Sequence, residues 1–341
     1  MSARKTGWIG ATILAVGLCA SFAEAATNTL VNGATDWRLP GSYAEANVDY
    51  TSFTSADVLQ IPADATVYID LSTEAGVASL AVLNSVERIV PLSTNSVLDV
   101  TVPEGTESAQ INVPISYAHI DNKNTGIFNG ELVKRGVGEL ALEPPGTKNN
   151  ELQTKMTVKT GTLVLPQTCP NGQVYVSAIT VDEGATLVTA RNNANDAASP
   201  IANTVYKTLN GAGTITNRTP SSAGRTYALE AFSNNKSQCG TFTGKITGAI
   251  QVFNYGYVNL TGTESDCPGD FRMSGYGSNS SFATNYSNAM SGNYATHISK
   301  LANRRQPSSI GAVTNILVEA TGHNLIYDGE GGDSSDVPFT I

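Results

Sequence analysis

A short pattern occurs three times between Gly130 and Val188, and this repeat constrains the fold more than any other feature of the chain. Each copy has a stretch of alternating apolar and polar residues, a turn closed by glycine, and a second alternating stretch. The turn glycines Gly138, Gly161 and Gly184 are 23 residues apart both times. A unit this short cannot bury its own apolar face, so a fixed period of about 20–30 residues predicts stacking into a solenoid.

Residues 130–166 read GELVKRGVGELALEPPGTKNNELQTKMTVKTGTLVLP, and residues 306–341 read QPSSIGAVTNILVEATGHNLIYDGEGGDSSDVPFTI. Both segments resemble the autotransporter-associated β-strand repeat of bacterial passenger-type surface proteins. The resemblance implies an all-β chain folded as a right-handed parallel β-helix (β-solenoid) with an N-terminal cap and loop insertions. It also implies export to the outer cell surface or beyond, and it concerns fold and location rather than chemistry.

The first 25 residues have the pattern of a signal peptide. Arg4 and Lys5 precede an apolar run from Trp8 to Ala20, and Ala23-Glu24-Ala25 follows that run. This order predicts cleavage after Ala25 and an extracellular or cell-surface location. The alternative is an uncleaved membrane anchor, which needs about 20 apolar residues, and this run is shorter. We therefore expect no membrane span after cleavage.

The composition agrees with an exported β-protein. Charged residues make up 14 % of the chain, well below the roughly 25 % of an average soluble domain. The net charge is −9, and no cluster of lysine and arginine occurs. An acidic chain without a basic patch is a poor candidate for binding nucleic acid.

Pattern and composition divide the chain into five segments. They are the signal peptide at 1–25, an N-terminal cap at 26–56, a β-solenoid at 57–262, an insertion rich in Ser, Asn, Gly and Tyr at 263–306, and a further solenoid rung at 307–341. The repeat lapses in the fourth segment, and the last rung stops within a strand. We expect either a truncated chain or an uncapped edge that a partner covers, including a second copy through self-association.

Alternation also predicts individual elements. Strands are predicted at Leu80–Leu83, Ser96–Val102 and Ala109–Ile115. A short helix is predicted near Tyr294–Asn303. In the second strand Leu98, Val100 and Val102 share one face, because successive side chains point to opposite sides, and we expect this face to line the core.

Three cysteines remain after the signal peptide: Cys169, Cys239 and Cys267. In an exported protein this number suggests one disulfide and one thiol. Cys239 and Cys267 bracket a strand-rich segment of about one solenoid turn, so they are the preferred pair. A catalytic cysteine is the alternative, and it needs a histidine nearby. None of the three histidines lies in a recognisable nucleophile motif, and no histidine pairing of metal-binding type occurs.

Three aromatic residues alternate along the longest strand-like run of the chain. Phe253, Tyr255 and Tyr257 are predicted to share one face of a single strand. At that spacing they are candidate carbohydrate-binding residues that form a flat platform for sugar rings. The alternative is an aromatic stack inside the solenoid or beneath a loop.

An acidic, glycine-rich turn near the end of the chain contains Asp328, Glu330, Asp333 and Asp336. Carboxylates on such a loop are weak candidates for binding calcium. Their spacing fits neither the helix-loop-helix calcium loop nor the glycine-rich nonapeptide repeat. We therefore predict no cofactor and no metal, and interpret the segment as a polar turn.

These features favour a non-enzymatic surface or secreted β-solenoid that contacts a polysaccharide, the matrix or another cell-surface component. The alternative is a polysaccharide lyase or glycosidase on the same fold, with Asp182 and Glu183 or Lys134 and Arg135 as the reacting pair. Adjacent residues on a strand point to opposite faces, which disfavours both pairs. A third hypothesis is a passenger fragment that serves the export of another segment.

Overall fold

The computed structural model describes residues 26–106, 109–115, 130–144, 154–166, 173–189, 201–218, 226–231, 236–273, 294–319 and 323–341. The predicted signal peptide and Cys169 lie outside these residues. Within them the protein is mostly β-structure built from parallel sheets, as the sequence predicts. No helix in the described ranges is long and apolar enough to cross a membrane.

The largest sheet has eleven strands, and neighbouring strands in it run parallel. Their bounds are β3 Thr66–Asp70, β5 Val97–Thr101, β7 Glu131–Arg135, β9 Lys155–Val158, β11 Gln173–Val181, β13 Ile201–Gly211, β15 Thr226–Ala231, β17 Ile250–Asn254, β19 Phe271–Met273, β21 Ile316–Val318 and β23 Phe339–Thr340.

A second sheet has six parallel strands, and its members come between those of the largest sheet along the chain. They are β6 Gln110–Ile111, β8 Glu139–Leu142, β10 Thr162–Val164, β12 Thr186–Val188, β14 Thr214–Thr216 and β16 Lys245–Ile246. From β5 to β17 the chain therefore alternates between the two sheets, and each return to a sheet adds one parallel strand.

Two three-stranded parallel sheets complete the structure. The first contains β1 Thr27–Thr29, β2 Val58–Ile61 and β4 Arg88–Pro91. The second contains β18 Val258–Leu260, β20 Tyr294–Ile298 and β22 His323–Tyr327.

The three copies of the repeat lie side by side in these sheets. Leu140 of β8 pairs with Leu163 of β10, and Leu163 pairs with Leu187 of β12. All three side chains are fully buried. Gly138 and Gly161 precede paired residues and so occupy equivalent turn positions, whereas Gly184 lies one residue earlier in its turn. The repeat seen in the sequence is thus a repeat of stacked strand pairs.

Strand alternation separates an inner and an outer face. Leu98, Val100 and Val102 are fully buried in one hydrophobic cluster, as predicted. Asp99, between them on the opposite face, binds Arg135 of the neighbouring strand instead. Burial of an apolar row from each successive strand provides the main stabilising free energy of such a stack.

The N-terminal part contains a helix, α1, from Glu74 to Asn84, and two single turns of 3-10 helix at Pro40–Ser42 and Tyr50–Ser52. The predicted strand at Leu80–Leu83 is therefore wrong. A short apolar run does not distinguish a strand from one face of a helix. Here the Thr73 hydroxyl caps the helix by accepting from the Gly76 amide at 3.0 Å, and alanine and leucine favour the helix that follows.

Residues 263–306 also differ from the prediction. The strands β19 and β20 lie in this segment and join the sheets on either side, so the repeat does not lapse throughout it. The helix predicted near Tyr294–Asn303 is wrong, because its first five residues form β20. The β-branched residues Thr296 and Ile298 fit the inner face of a strand, where both are buried.

Candidate functional site

The aromatic segment does not form one continuous strand. Its first strand, β17, ends at Asn254, and its second, β18, begins at Val258 in a different sheet. The buried Asn254 side chain makes the break: its oxygen accepts from the Gly256 amide at 2.8 Å, and its nitrogen donates to the Thr296 hydroxyl at 2.7 Å. The prediction of a single flat face from Phe253 to Tyr257 is therefore wrong.

The first two aromatic residues still stack. The rings of Phe253 and Tyr255 are nearly parallel, with an interplanar angle of 5° and centroids 6.1 Å apart. Phe253 is buried, and the guanidinium carbon of Arg272 lies 5.3 Å from its ring centre. The same guanidinium binds Glu319 at 3.2 Å. Tyr255, which is half-buried, is the ring of this stack that reaches the surface.

The third aromatic residue belongs to a separate group. Tyr257 meets Tyr294 edge-on, with ring centroids 5.6 Å apart, and Tyr294 lies 5.2 Å from the His323 ring. Tyr294 is buried, whereas Tyr257 and His323 are half-buried. Burial lowers the pKa of His323, so its imidazole is neutral at pH 7. The group is an aromatic wall with a partly exposed tyrosine at its edge.

An open groove of about 440 Å³, lined mostly by residues with polar side chains, lies on the outer face of the eleven-stranded sheet. Three of its residues occupy the same position on successive strands, since Lys155 pairs with Ala178 and Ala178 pairs with Thr208. The other lining residues are Ser177, Asn210, Ser237, Gln238 and Gly240. The groove thus combines the Lys155 ammonium with amide and hydroxyl groups, of which the Thr208 hydroxyl donates to the Gln238 carbonyl oxygen within the groove.

The groove is connected by a hydrogen bond to the strand that follows Tyr257. The side-chain amide of Asn259 donates to the carbonyl oxygen of Gly240, which lines the groove, at 2.8 Å. Tyr257 precedes Asn259 by two residues, so alternation places both side chains on the same side of the chain. Sequence reasoning missed the groove because its residues come from four separate segments, and only the strand register brings them together.

The carboxylates of the acidic turn bind different partners. Asp328 binds the imidazole of His297, with 2.6 Å between Oδ2 and Nδ1, and Glu330 is exposed. Among the described residues no group of three or more His, Cys, Asp and Glu side chains is placed to hold a metal ion.

The remaining two carboxylates of the turn hold the preceding segment in place. Asp333 accepts from the Leu301 amide at 2.9 Å, and Asp336 accepts from the Arg304 amide at 2.5 Å. Their role in this arrangement is to satisfy backbone donors of a neighbouring loop, which is what the interpretation as a polar turn requires.

The predicted disulfide between Cys239 and Cys267 is not present, and both residues are buried thiols. Their positions explain this. Cys239 lies beside Leu209, whose amide donates to its carbonyl oxygen, whereas Cys267 follows Asp266, whose amide binds Ile246. The two cysteines are therefore at different positions along the stack, although their separation in sequence is about the length of one solenoid turn. Burial raises the pKa of Cys267 to about 12, so its thiol is unreactive.

The residue pairs considered for catalysis do not converge either. Lys134 is fully buried, and its Nζ donates to the carbonyl oxygens of Gly136 and Gly138 at 2.5 Å and of Thr160 at 2.9 Å. The side chain of Arg135 points to the opposite face of β7 and binds Asp99 at 2.8 Å. Lys134 closes the turns of two neighbouring repeats from inside, which is a structural task.

The second pair lies at a turn on the surface. Asp182 forms an ion pair with Lys159 of the preceding repeat at 3.0 Å, and Glu183 next to it is exposed. A glycosidase needs two carboxyl groups facing one sugar across about 5–10 Å, which neighbours on a turn do not provide here.

Comparison with known proteins adds no relative to this chain: no family model matches it, and no curated protein or solved structure matches it significantly.

Proposed function

We propose that the chain is a right-handed parallel β-helix. Three observations support this: the chain alternates between two parallel sheets, each return adds the next strand, and inward residues of both sheets share one hydrophobic cluster. Right-handedness follows from the general preference of parallel crossover connections, which holds in about 98 % of cases.

On this scaffold we place a non-enzymatic function: an exported surface or secreted protein that binds a polysaccharide through its outer face. The observation that carries the proposal is the groove lined by polar residues, which the hydrogen bond from Asn259 to Gly240 connects to the strand directly after the half-exposed Tyr257. Hydroxyl and amide groups match the hydrogen-bonding pattern of sugar hydroxyls, and an aromatic face matches the apolar face of a sugar ring.

The dimensions of the groove also suit a chain-like ligand. Lys155, Ala178 and Thr208 lie on three adjacent strands, and strands in a sheet are about 4.8 Å apart. The groove is open, so a polymer can pass through it without threading. Lys155 is the one charged residue among the groove-lining residues that the structure describes. Its ammonium attracts the carboxylate groups of an acidic polysaccharide there, whereas the net negative charge of the whole chain opposes binding of such a ligand.

The absence of catalysis is part of the same proposal. Its support is that Lys134 and Arg135 bind different groups on opposite faces of β7, and that Asp182 is paired with Lys159. Among the described residues that line the groove none carries a carboxylate, and a glycosidase requires two.

The test is co-sedimentation of the purified protein with a panel of acidic and neutral polysaccharides, with and without calcium. New reducing ends and unsaturated products are measured in the same samples. We expect binding to an acidic polysaccharide without cleavage, independent of calcium and weakened by Tyr257→Ala. Cleavage of any member of the panel contradicts the non-enzymatic function. If the protein co-sediments with no member of the panel, the choice of a polysaccharide as the ligand is contradicted.

A further inference from the structure

The backbone nitrogen of Ala26 lies 2.7 Å from Oδ1 of Asp57, a carboxylate that is only 7 % exposed. Ala26 directly follows Ala25, after which the signal-peptide pattern predicts cleavage. Cleavage at that bond turns this nitrogen from a neutral amide into an α-amino group. The buried Asp57 carboxylate therefore lies within hydrogen-bond distance of the nitrogen that would become positively charged on cleavage.

Asp57 is held in place by the rest of its surroundings. Its second oxygen, Oδ2, accepts from the amide and the hydroxyl of Thr54, at 2.6 and 3.0 Å. Burial raises the pKa of this carboxyl, but the hydrogen bonds from Ala26 and Thr54 outweigh burial and leave the pKa below its ordinary value. The group is therefore an anion at neutral pH, and it is fixed in one orientation.

Ala26 is fixed from its other side as well. Its carbonyl oxygen accepts from the Val58 amide at 2.9 Å, and the next residue, Thr27, begins β1 and pairs with Val58. Both polar atoms of the Ala26 backbone thus bind the segment around Asp57. The position of the nitrogen is a consequence of the sheet β1-β2-β4, and is not an accident of a loose end.

The space around this nitrogen favours a cation. An open cavity of about 460 Å³ borders Ala26, and Glu45 and Asp49 line it together with Asp57. Glu45 accepts from the Thr29 amide at 2.8 Å, and Asp49 caps the Tyr50–Ser52 turn. The negative charge of the three carboxylates lowers the free energy of a positive group placed among them.

We propose that Asp57 is the binding site for the α-ammonium group that cleavage after Ala25 creates. In this step an export peptidase and water hydrolyse the Ala25–Ala26 bond. Ala25 leaves with a carboxylate, and the Ala26 amine takes up a proton, since a free α-amine has a pKa of about 7.7–8.0. The hydrogen bond from a neutral amide to the Asp57 carboxylate becomes an ion pair between two opposite full charges. Processing thereby fastens β1 to the first sheet of the stack.

The experiment compares four proteins that begin at Ala26: the native sequence and Asp57→Asn, each with a free or an acetylated N-terminus. Urea unfolding gives the coupling between the charge on Ala26 and the carboxylate. We expect acetylation to shift the midpoint to lower urea in the native sequence, and to have little effect in Asp57→Asn. Equal effects of acetylation in both backgrounds overturn the proposal.

A second readout does not depend on stability. At neutral pH we expect the Ala26 amine to react with an acylating reagent about tenfold more slowly than in Asp57→Asn, which corresponds to a pKa raised by about one unit. Asp49→Asn is the matched control, because Asp49 lines the same cavity without contacting Ala26, and it should leave the rate nearly unchanged. Equal rates in native and Asp57→Asn proteins, or a mature chain that begins at another residue by mass spectrometry, contradict the proposal.

Discussion

Residues 130–189 and residues 250–327 both contain parallel strands, but the side chains of the two regions have different roles. In the first region the outer and turn side chains bind one another across the stack: Arg135 binds Asp99, and Lys159 binds Asp182. In the second region the strand run breaks after the buried Asn254, and tyrosines reach the surface. The regular region joins its strands with these ion pairs and contributes Lys155 to the groove, whereas the broken region brings the rings of Tyr255 and Tyr257 to the surface.

This contrast shows how a repeat can hide the meaning of its residues. Lysine is a residue type that can act as a catalytic base. Lys134, however, occupies an inward position between Val100 and Val158 of the neighbouring strands. Its three carbonyl acceptors belong to two turns: Gly136 and Gly138 lie in the turn of its own repeat, and Thr160 lies in the turn of the next repeat. In a regular stack the first role of a charged residue is to hold neighbouring strands and turns together. A binding surface is expected where the period is broken.

The largest effect is expected from Gly161→Ala in the regular region. Gly161 has a φ of +68°, and an added Cβ would overlap the Lys134 Nζ and the carbonyl oxygens of Gly136 and Gly138. Left-handed backbone strain and overpacking together should lower the free energy of unfolding by about 3 kcal/mol or more. Urea unfolding followed by circular dichroism measures this loss.

Gly184→Ala is the matched control for that substitution. Gly184 has a similar φ of +77°, but nothing lies within 4 Å of an added Cβ. Only the backbone strain remains, so we expect a loss of about 1–2 kcal/mol. Equal losses at the two glycines would mean that the site around Lys134 is not tightly packed, which contradicts the contrast drawn above.

Lys134→Met tests the structural task of the buried lysine. The substitution keeps the length of the side chain but leaves three carbonyl oxygens without their donor, and each unsatisfied buried group costs about 1–3 kcal/mol. Removal of a buried charge offsets part of this cost, so we expect a net loss of about 2–3 kcal/mol. The control is Lys159→Met at the surface, with a loss below about 1 kcal/mol. A neutral or stabilising Lys134→Met would refute the assignment.

Stability should also depend on pH through Lys134. Burial lowers the pKa of its ammonium from 10.5 to about 8. Between these values the unfolded chain binds more protons than the folded chain, so stability rises with pH, by up to about 1.4 kcal/mol per unit. We expect the stability of the native protein relative to Lys134→Met to increase from pH 8.5 to 9.5. A decrease would show that the three carbonyl oxygens favour the ammonium more than burial opposes it.

The smallest effect is expected at the ion pair between Glu139 of β8 and Arg218, which lies two residues after β14; both side chains are 40–50 % exposed. A double-mutant cycle with Arg218→Ala and Glu139→Ala should give a coupling of about 0.2–1 kcal/mol that falls further in salt. A coupling above about 2 kcal/mol would mean that surface pairs, and not the buried turns, distinguish the regular region.

Much of the stack follows from the sequence because it depends on local periodicity. The inward row of Leu98, Val100 and Val102 is visible in one dimension and is confirmed, and the glycine spacing locates the repeat, although Gly184 lies one residue earlier in its turn than Gly138 and Gly161. The helix α1 was missed because its apolar run is short, and only the Thr73 cap and the alanine content distinguish it from a strand.

The candidate site could not be predicted in the same way. Asn254 breaks the aromatic run through a hydrogen bond to Thr296, a residue 42 positions away, and no local signal reports such a contact. The groove depends on the register between Lys155, Ala178 and Thr208. The expected disulfide failed for the same reason: the loops between strands differ in length, so separation in sequence does not give position in the stack.

The most direct test of the account is the affinity of Tyr257→Ala for the acidic polysaccharide that the native protein binds, compared with that of Tyr68→Ala. Tyr68 is 41 % exposed on the outer face of β3, outside the groove. Loss of an aromatic contact of about 1–1.5 kcal/mol predicts an affinity about tenfold lower for Tyr257→Ala and an unchanged affinity for Tyr68→Ala. Equal affinities of the two variants would contradict the assignment of the binding surface to the broken region.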